Sequence, residues 1–175
     1  MATFDNLVTG MFKSNTAAET AVQMLHKAGY SRNDISILMS DDTRSRHFGL
    51  ETGTQVAAGA GIGSAVGGAV GATIAAIAAI GTSLLLPGIG LVIAGPIAAA
   101  FAGAGSGSAA GGLVGALVGA GIPEYRAKVY ESGIKAGGVL VGVHAKSAAD
   151  TEKIEHLLTG AGADGIRAKD AHAAE

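Results

Sequence analysis

The stretch GAGIGSAVGGAVG, residues 59–71, carries a glycine at every fourth position, and GAGSGSAAGGLVGALVG, residues 103–119, repeats that spacing. A period of four places these glycines along one face of an α-helix, where two helix backbones can approach closely. The pattern predicts two glycine-zipper helices, over residues 54–80 and 96–121. The glycines expected to mediate helix packing and oligomerisation are Gly59, Gly63, Gly67, Gly71, Gly103, Gly107, Gly111, Gly115 and Gly119.

Charge is missing from the centre of the chain. The sequence has 12 Lys and Arg and 14 Asp and Glu, yet none of these residues, and no His, occurs from Thr52 to Pro123. The same segment holds all three prolines and most of the 29 glycines. A long loop in water would carry charge, and a disordered segment would be poorer in Ala, Ile, Leu and Val. The segment is therefore expected to be buried in lipid or in protein.

Each predicted helix exceeds the roughly 20 residues that cross the hydrocarbon core of a bilayer. The expected tip of the helical hairpin is Leu84, Leu85, Leu86, Pro87 and Gly88. Basic residues flank the hairpin on both sides, at Arg44, Arg46, Arg126 and Lys128. By the positive-inside bias, both termini are expected in the cytoplasm. The sequence thus predicts transmembrane helices in the cytoplasmic membrane and self-assembly into a homo-oligomer, with itself and the lipid bilayer as partners.

A second interpretation needs no lipid. Ala and Gly contribute little transfer free energy, and large apolar residues are scarce in the segment outside residues 84–93. The zippers could instead be buried in a protein core, within a cytoplasmic soluble homo-oligomer or a regulatory ligand-binding module. Such burial would hide an apolar surface larger than a monomer leaves exposed.

The two flanks, before and after the uncharged segment, have patterns typical of alternating strands and helices. Residues 6–13 and 34–39 predict strands around a helix, and residues 139–144 and 164–168 predict a second strand–helix–strand unit behind a helix that Pro123 begins. Two βαβ halves predict an α+β, ferredoxin-like domain that the hairpin interrupts. The expected divisions are residues 1–51 and 123–170 for the two halves, 52–122 for the hairpin and 171–175 for a flexible tail.

The sequence lacks the common motifs for catalysis and cofactor binding. Cys is absent, which excludes disulfides and thiolate sites. The dinucleotide pattern Gly-x-Gly-x-x-Gly is broken by Ser64 and Ser108, and no Gly-Lys-Ser/Thr follows a glycine run. The net charge of −2 comes without a basic stripe, which argues against nucleic acid. Met1–Asp5 lacks the features of a secretory leader. We expect no enzyme, no catalytic residue, no cofactor, no metal and no small-molecule substrate.

The run GIPEYRAKVYESGIKAGGVLVGV, residues 121–143, resembles a segment of bacterial heat-induced or general stress proteins and their low-temperature-induced relatives. The similar features are the Gly-Ile-Pro-Glu sequence that ends the glycine-rich segment, the Tyr-Glu-x-Gly helix end at Tyr130–Gly133, and the glycine pair Gly137–Gly138. The resemblance implies a stress-linked, membrane-associated role, and it implies no catalytic activity.

Overall fold

The computed structural model describes residues 6–48, 83–86, 90–98, 107–119 and 122–168. These residues form a mixed α+β structure with an antiparallel sheet and helices on both of its faces. The strands are β1 (Leu7–Phe12), β2 (Ile35–Ser40), β3 (Ser83–Leu86), β4 (Leu91–Ala94), β5 (Val139–His144) and β6 (Asp164–Ala168). The helices are α1 (Asn15–Lys27), α2 (Asp41–Phe48), α3 (Gly107–Gly119), α4 (Glu124–Lys135) and α5 (Ala148–Gly160).

The six strands lie in the order β3-β4-β2-β5-β1-β6, and every neighbouring pair is antiparallel. Strand β5 pairs with β1 from Leu7↔His144 to Phe12↔Val139 and with β2 on its other edge. A strand from the second flank therefore lies between two strands of the first, so neither flank can complete the sheet alone. The predicted α+β class is confirmed.

Alternate side chains of the strands enter two separate apolar cores. On the first face, Val8 and Phe12 of β1 pack with α1 and α5. On the second face, Leu7 and Met11 pack with α3 and α4. Both faces are covered, which explains why β5 is a nearly continuous run of β-branched and apolar residues instead of an alternating one.

Helices α1 and α5 follow the sequence prediction closely. Helix α1 buries Ala18, Ala21, Val22 and Leu25, which is the i, i+3, i+4, i+7 spacing of an amphipathic helix. The α5 N-terminus is capped by Ser147, whose hydroxyl accepts a hydrogen bond from the backbone N–H of Asp150.

Part of the glycine-rich segment belongs to this domain. In β4, Leu91 and Ile93 are buried, and Ile97 in the helical turn after β4 is fully buried. Leu113 and Leu117 of α3 join the same core as α4. These apolar side chains are therefore covered by protein.

The prediction of transmembrane helices is wrong for the part of the chain that the structure describes. None of the described helices combines the length and the apolar character needed to cross a membrane. Helix α3 has 13 residues, and Gly112 interrupts it with non-helical backbone angles of φ 59° and ψ −153°. The first predicted zipper helix, residues 54–80, lies outside the described residues.

The predicted hairpin tip is also placed differently. Leu84, Leu85 and Leu86 form β3, which pairs with β4 through the register Leu84↔Ile93 to Leu86↔Leu91. Pro87 and Gly88 lie outside the described residues. These leucines extend the sheet instead of ending a long helical hairpin. The sequence pattern could not distinguish the two, because a short apolar run bounded by Gly and Pro is equally typical of a buried strand.

Candidate functional site

A cavity of about 700 Å³ runs between α4 and the part of the sheet formed by β1 and β6. We call it the α4 groove. Its α4 wall consists of Tyr125, Arg126, Val129, Tyr130 and Gly133. The opposite wall is the end of β1, Met11–Lys13, with the start of β6. The volume lies within the range of about 300–1,000 Å³ that is typical of small-molecule sites.

The rim of the α4 groove is apolar and open. Tyr125 and Val129 lie one helical turn apart on α4 and are 66% and 63% exposed. Among the described residues, the other exposed large apolar side chain is Val118 of α3. Two large apolar side chains left in water beside one cavity indicate a binding surface better than scattered exposed residues do.

The inner wall of the groove is held rigidly. The Tyr130 ring is buried, and its hydroxyl lies 2.7 Å from the hydroxyl of Thr9 on β1. This buried hydrogen bond satisfies both polar groups and links α4 to the sheet. The hydrogen bond therefore fixes the Tyr130 side chain at the base of the groove.

Glycines set the close contact between α4 and β1. A Cβ atom at Gly133 would lie 2.9 Å from the Met11 methyl group, and one at Gly138 would lie 2.8 Å from the Gly133 carbonyl oxygen. Strand β6 is irregular at the same place, because its pairing with β1 shifts register and Gly165 has a φ of 61°. Such β-bulges are frequent beside functional sites.

Charged groups lie at the two ends of the groove. The Lys13 ammonium is 2.6 Å from the Asp164 carboxylate, and both side chains are exposed. The hydrogen bond and the charge of Asp164 raise the pKa of Lys13 above its ordinary value, so the ammonium stays protonated at neutral pH. At the other end, Arg126 Nε donates to the Tyr125 hydroxyl at 3.2 Å. No carboxylate pairs with Arg126 in the described part of the chain.

The predicted zipper glycines lie elsewhere. Gly107, Gly111, Gly115 and Gly119 are in α3, and Gly59, Gly63, Gly67, Gly71 and Gly103 fall outside the described residues. Helix α3 contacts the core through Leu113 and Leu117, while Gly115 is half-buried and Gly119 is exposed. The role of these glycines in helix packing and oligomerisation stays a prediction.

Sequence reasoning did not single out the α4 groove. Tyr125 and Val129 have the spacing of one helix face, but Ala127, Tyr130 and Ile134 form the buried face of the same helix. A sequence pattern alone cannot assign the first pair to a groove, because the other wall comes from β1, more than a hundred positions away, and from the start of β6.

Another cavity, of about 800 Å³, lies where β1 and β2 end and is lined by polar groups that include Asn15, Asp41 and Lys135. Its charges are already paired, since Lys135 lies 3.0 Å from Glu131 and Arg44 lies 2.9 Å from Asp41. Among the described residues, no group of three or more His, Asp or Glu side chains could hold a metal ion. We assign no ligand to this cavity.

A polar cluster joins the end of α1 to the start of α5. The buried Tyr30 hydroxyl donates to Asp150, which also accepts the backbone N–H of Lys146 at 2.9 Å. Burial alone would raise the pKa of Asp150, but these hydrogen bonds and the charges of Lys153 and Lys146 outweigh it and lower the pKa. The contacts satisfy every partner within the fold, which is typical of a structural link.

Replacing Tyr30 by phenylalanine is expected to lower the free energy of unfolding by about 1–2 kcal/mol at pH 7, because a hydrogen bond to a charged group is lost. The lowered pKa of Asp150 contributes stability above its unfolded value of about 3.9, and this contribution is lost as the pH falls through the folded value. The difference in the free energy of unfolding between the wild-type protein and Tyr30→Phe, measured in urea, should therefore be smaller at pH 2.5 than at pH 7. The matched change at the exposed Tyr125, Tyr125→Phe, should leave stability within about 0.5 kcal/mol; equal losses would contradict the structural role of Tyr30.

Comparison of the chain with family models, with characterised proteins and with solved structures gives no match. The features that indicate a function are therefore the α4 groove, its exposed apolar rim and the charges at its ends.

Proposed function

We propose that the chain is a non-enzymatic regulatory module that binds a small, largely apolar molecule in the α4 groove. The observation that supports this most strongly is the exposure of Tyr125 and Val129 beside a cavity of ligand size. The resemblance of residues 121–143 to bacterial stress proteins is the reason to propose that this binding serves a stress response.

The α4 groove is preorganised for a ligand. Tyr130 is buried and hydrogen-bonded to Thr9, so the base of the groove is held against the sheet without a ligand. A ligand would also cover the side chains of Tyr125 and Val129, and each Å² of apolar surface removed from water contributes about 25 cal/mol. A rigid, apolar groove with a few polar groups at its ends is what small-molecule binding requires.

The described groove residues do not favour catalysis. Lys13 and Asp164 neutralise each other at 2.6 Å, and the Tyr130 hydroxyl is engaged with Thr9. A nucleophile needs a base within hydrogen-bond reach, and no such pair occurs among the groove residues that the structure describes. Binding without chemistry is the simpler function.

We also propose that the domain has the ferredoxin-like arrangement. The strands of the two flanks follow the order β2-β5-β1-β6, which is second, third, first and fourth along the flanks. Helices α1 and α5, the crossovers of the two βαβ units, both pack in the first core. In this proposal β3 and β4 are an addition beside β2, and the apolar part of the glycine-rich segment is buried against protein.

Filling the groove tests the proposed function. Gly133→Leu is expected to weaken the binding of Nile red, a neutral apolar dye, by at least about tenfold, because the new side chain must displace Met11 and occupy the cavity. The measurement is a fluorescence titration. Leucine is also a better helix former than glycine, by up to about 1 kcal/mol, which favours retention of the fold.

The matched control is Ser132→Leu, which adds the same side chain at the exposed neighbouring position of α4. It should bind Nile red as the wild-type protein does, and circular dichroism should show both variants folded. The proposed function is rejected if the wild-type protein does not bind the dye, or if both variants bind it equally well.

A further inference from the structure

We propose that the ligand of the α4 groove is an amphipathic anion, a straight-chain carboxylate of medium length, whose head group binds Arg126. This inference rests on the proposed function and adds to it the chemistry of the ligand. Three features of the groove support it: the charged side chains that line it, the length of α4 along it and the apolar surface between them.

Arg126 is the group suited to the head. Its side chain is half-buried, with the guanidinium carbon 5.7 Å from the centre of the Tyr125 ring and Nε directed to the Tyr125 hydroxyl. These contacts orient the guanidinium but leave its charge without a carboxylate partner in the described part of the chain. A guanidinium binds a carboxylate through two parallel N–H···O bonds, so the missing partner is supplied by an anion.

The other end of the groove is unsuited to an anion. Lys13 is already neutralised by Asp164 at 2.6 Å, and a second carboxylate there would meet the charge of Asp164. An anionic head is therefore directed to Arg126, and an uncharged tail end to the side of Lys13. The charges of the groove thus define one orientation of the ligand.

The tail is defined by the surface between the two ends. From Arg126 to Ala136 the helix rises about 15 Å, which an extended chain of roughly ten carbons can follow. Between these points the groove is lined by Val129, Tyr130, Met11 and Gly133. Methionine adapts its rotamer to irregular apolar partners, so the contact of Met11 with Gly133 is the part of the groove that can adjust to a chain.

The test compares decanoate with decanol, two molecules with the same chain and different head groups, by calorimetry with the full-length protein and below the micellar concentration. Wild-type protein should bind decanoate at least about tenfold more tightly than decanol. Arg126→Gln should remove that preference by weakening decanoate binding at least about tenfold, with a much smaller effect on the affinity for decanol. The control Lys128→Gln removes a charge from α4 at a residue paired with Glu124, at 2.8 Å, and outside the groove, and it should keep the preference.

A second measurement needs no variant. Because Arg126 is partly exposed, added salt should screen its attraction and lower the ratio of decanoate to decanol affinity in the wild-type protein. Arg126→Lys should retain part of the preference, since it keeps the charge and loses the two-pronged geometry.

The outcomes separate the two proposals. Equal affinity for decanoate and decanol, a preference that survives Arg126→Gln, or a preference removed by Lys13→Gln instead would overturn the anion assignment while Nile red binding still supports the groove. If neither decanoate, decanol nor Nile red binds, and sedimentation shows a dimer, the groove is an interface between copies of the chain and both proposals fail.

Discussion

Replacing Gly95 by alanine is expected to lower the free energy of unfolding by about 2–5 kcal/mol. Gly95 has a φ of 91°, a conformation that costs an L-residue about 1–2 kcal/mol. The added Cβ would also lie 2.2 Å from the carbonyl oxygen of Ile35 and 2.8 Å from the Cα of Ser36. Both are backbone atoms of β2 and cannot rotate away, so the clash adds about 1–3 kcal/mol.

The position matters because Gly95 lets the glycine-rich segment turn from β4 over the sheet. Directly after it, the backbone N–H of Ile97 donates to the Ser36 hydroxyl at 3.2 Å, and the Ile97 side chain reaches the space above Gly142. The loss of stability should appear as a lower midpoint in urea unfolding followed by circular dichroism.

Gly90→Ala is the matched control. Gly90 also has a positive φ, 63°, but an added Cβ would meet nothing within 4 Å. Only the backbone strain of about 1 kcal/mol remains there. If Gly90→Ala and Gly95→Ala lower the free energy of unfolding equally, the contact of Gly95 with β2 does not hold the glycine-rich segment on the sheet.

Leu117→Ala is expected to cost about 2–5 kcal/mol, the range for removing a large apolar side chain from a close-packed core. Leu117 is fully buried on the second face of the sheet, in one core with Leu38, Ile93 and Ile134. Thermal and urea unfolding both measure the effect. The result decides whether α3, which ends the glycine-rich segment, is part of the folded domain.

The neighbouring residue provides the control. Val118 is 42% exposed, and Val118→Ala should change stability by no more than about 0.5 kcal/mol, since alanine is also the better helix former. A Leu117→Ala variant as stable as Val118→Ala would show that α3 does not pack on the sheet in solution. The assignment of the segment to the protein core would then have to be given up.

The strands of the flanks and the helices α1, α4 and α5 could be predicted because their signals are local, whereas α2 (Asp41–Phe48) was not predicted. The apolar spacing of α1, the cap at Ser147 and the β-branched run of β5 each act over one element. Local signals also indicated that the two flanks form one sheet, since two βαβ units are too small to bury their cores separately.

The central segment shows where local signals fail. Four-residue glycine spacing predicts a helix, and α3 is one, but Gly112 breaks its geometry, and Leu113 and Leu117 of this helix belong to the core. The leucines of β3 were expected at a hairpin tip, because a four-residue apolar run does not distinguish a strand from the end of a helix. The hydrogen bonds between β3 and β4 show that this run is a strand.

The sequence by itself determined the α+β class and the uncharged centre, because each of these depends on composition or on spacing within one segment. The tertiary structure alone decided the α4 groove. Tyr130 and Thr9, whose hydroxyls meet at 2.7 Å, are 121 residues apart, and Met11 likewise meets Gly133 from a distant part of the sequence. Such contacts depend on which side of the sheet α4 covers, and that is decided by packing the whole chain rather than by any one pattern within it.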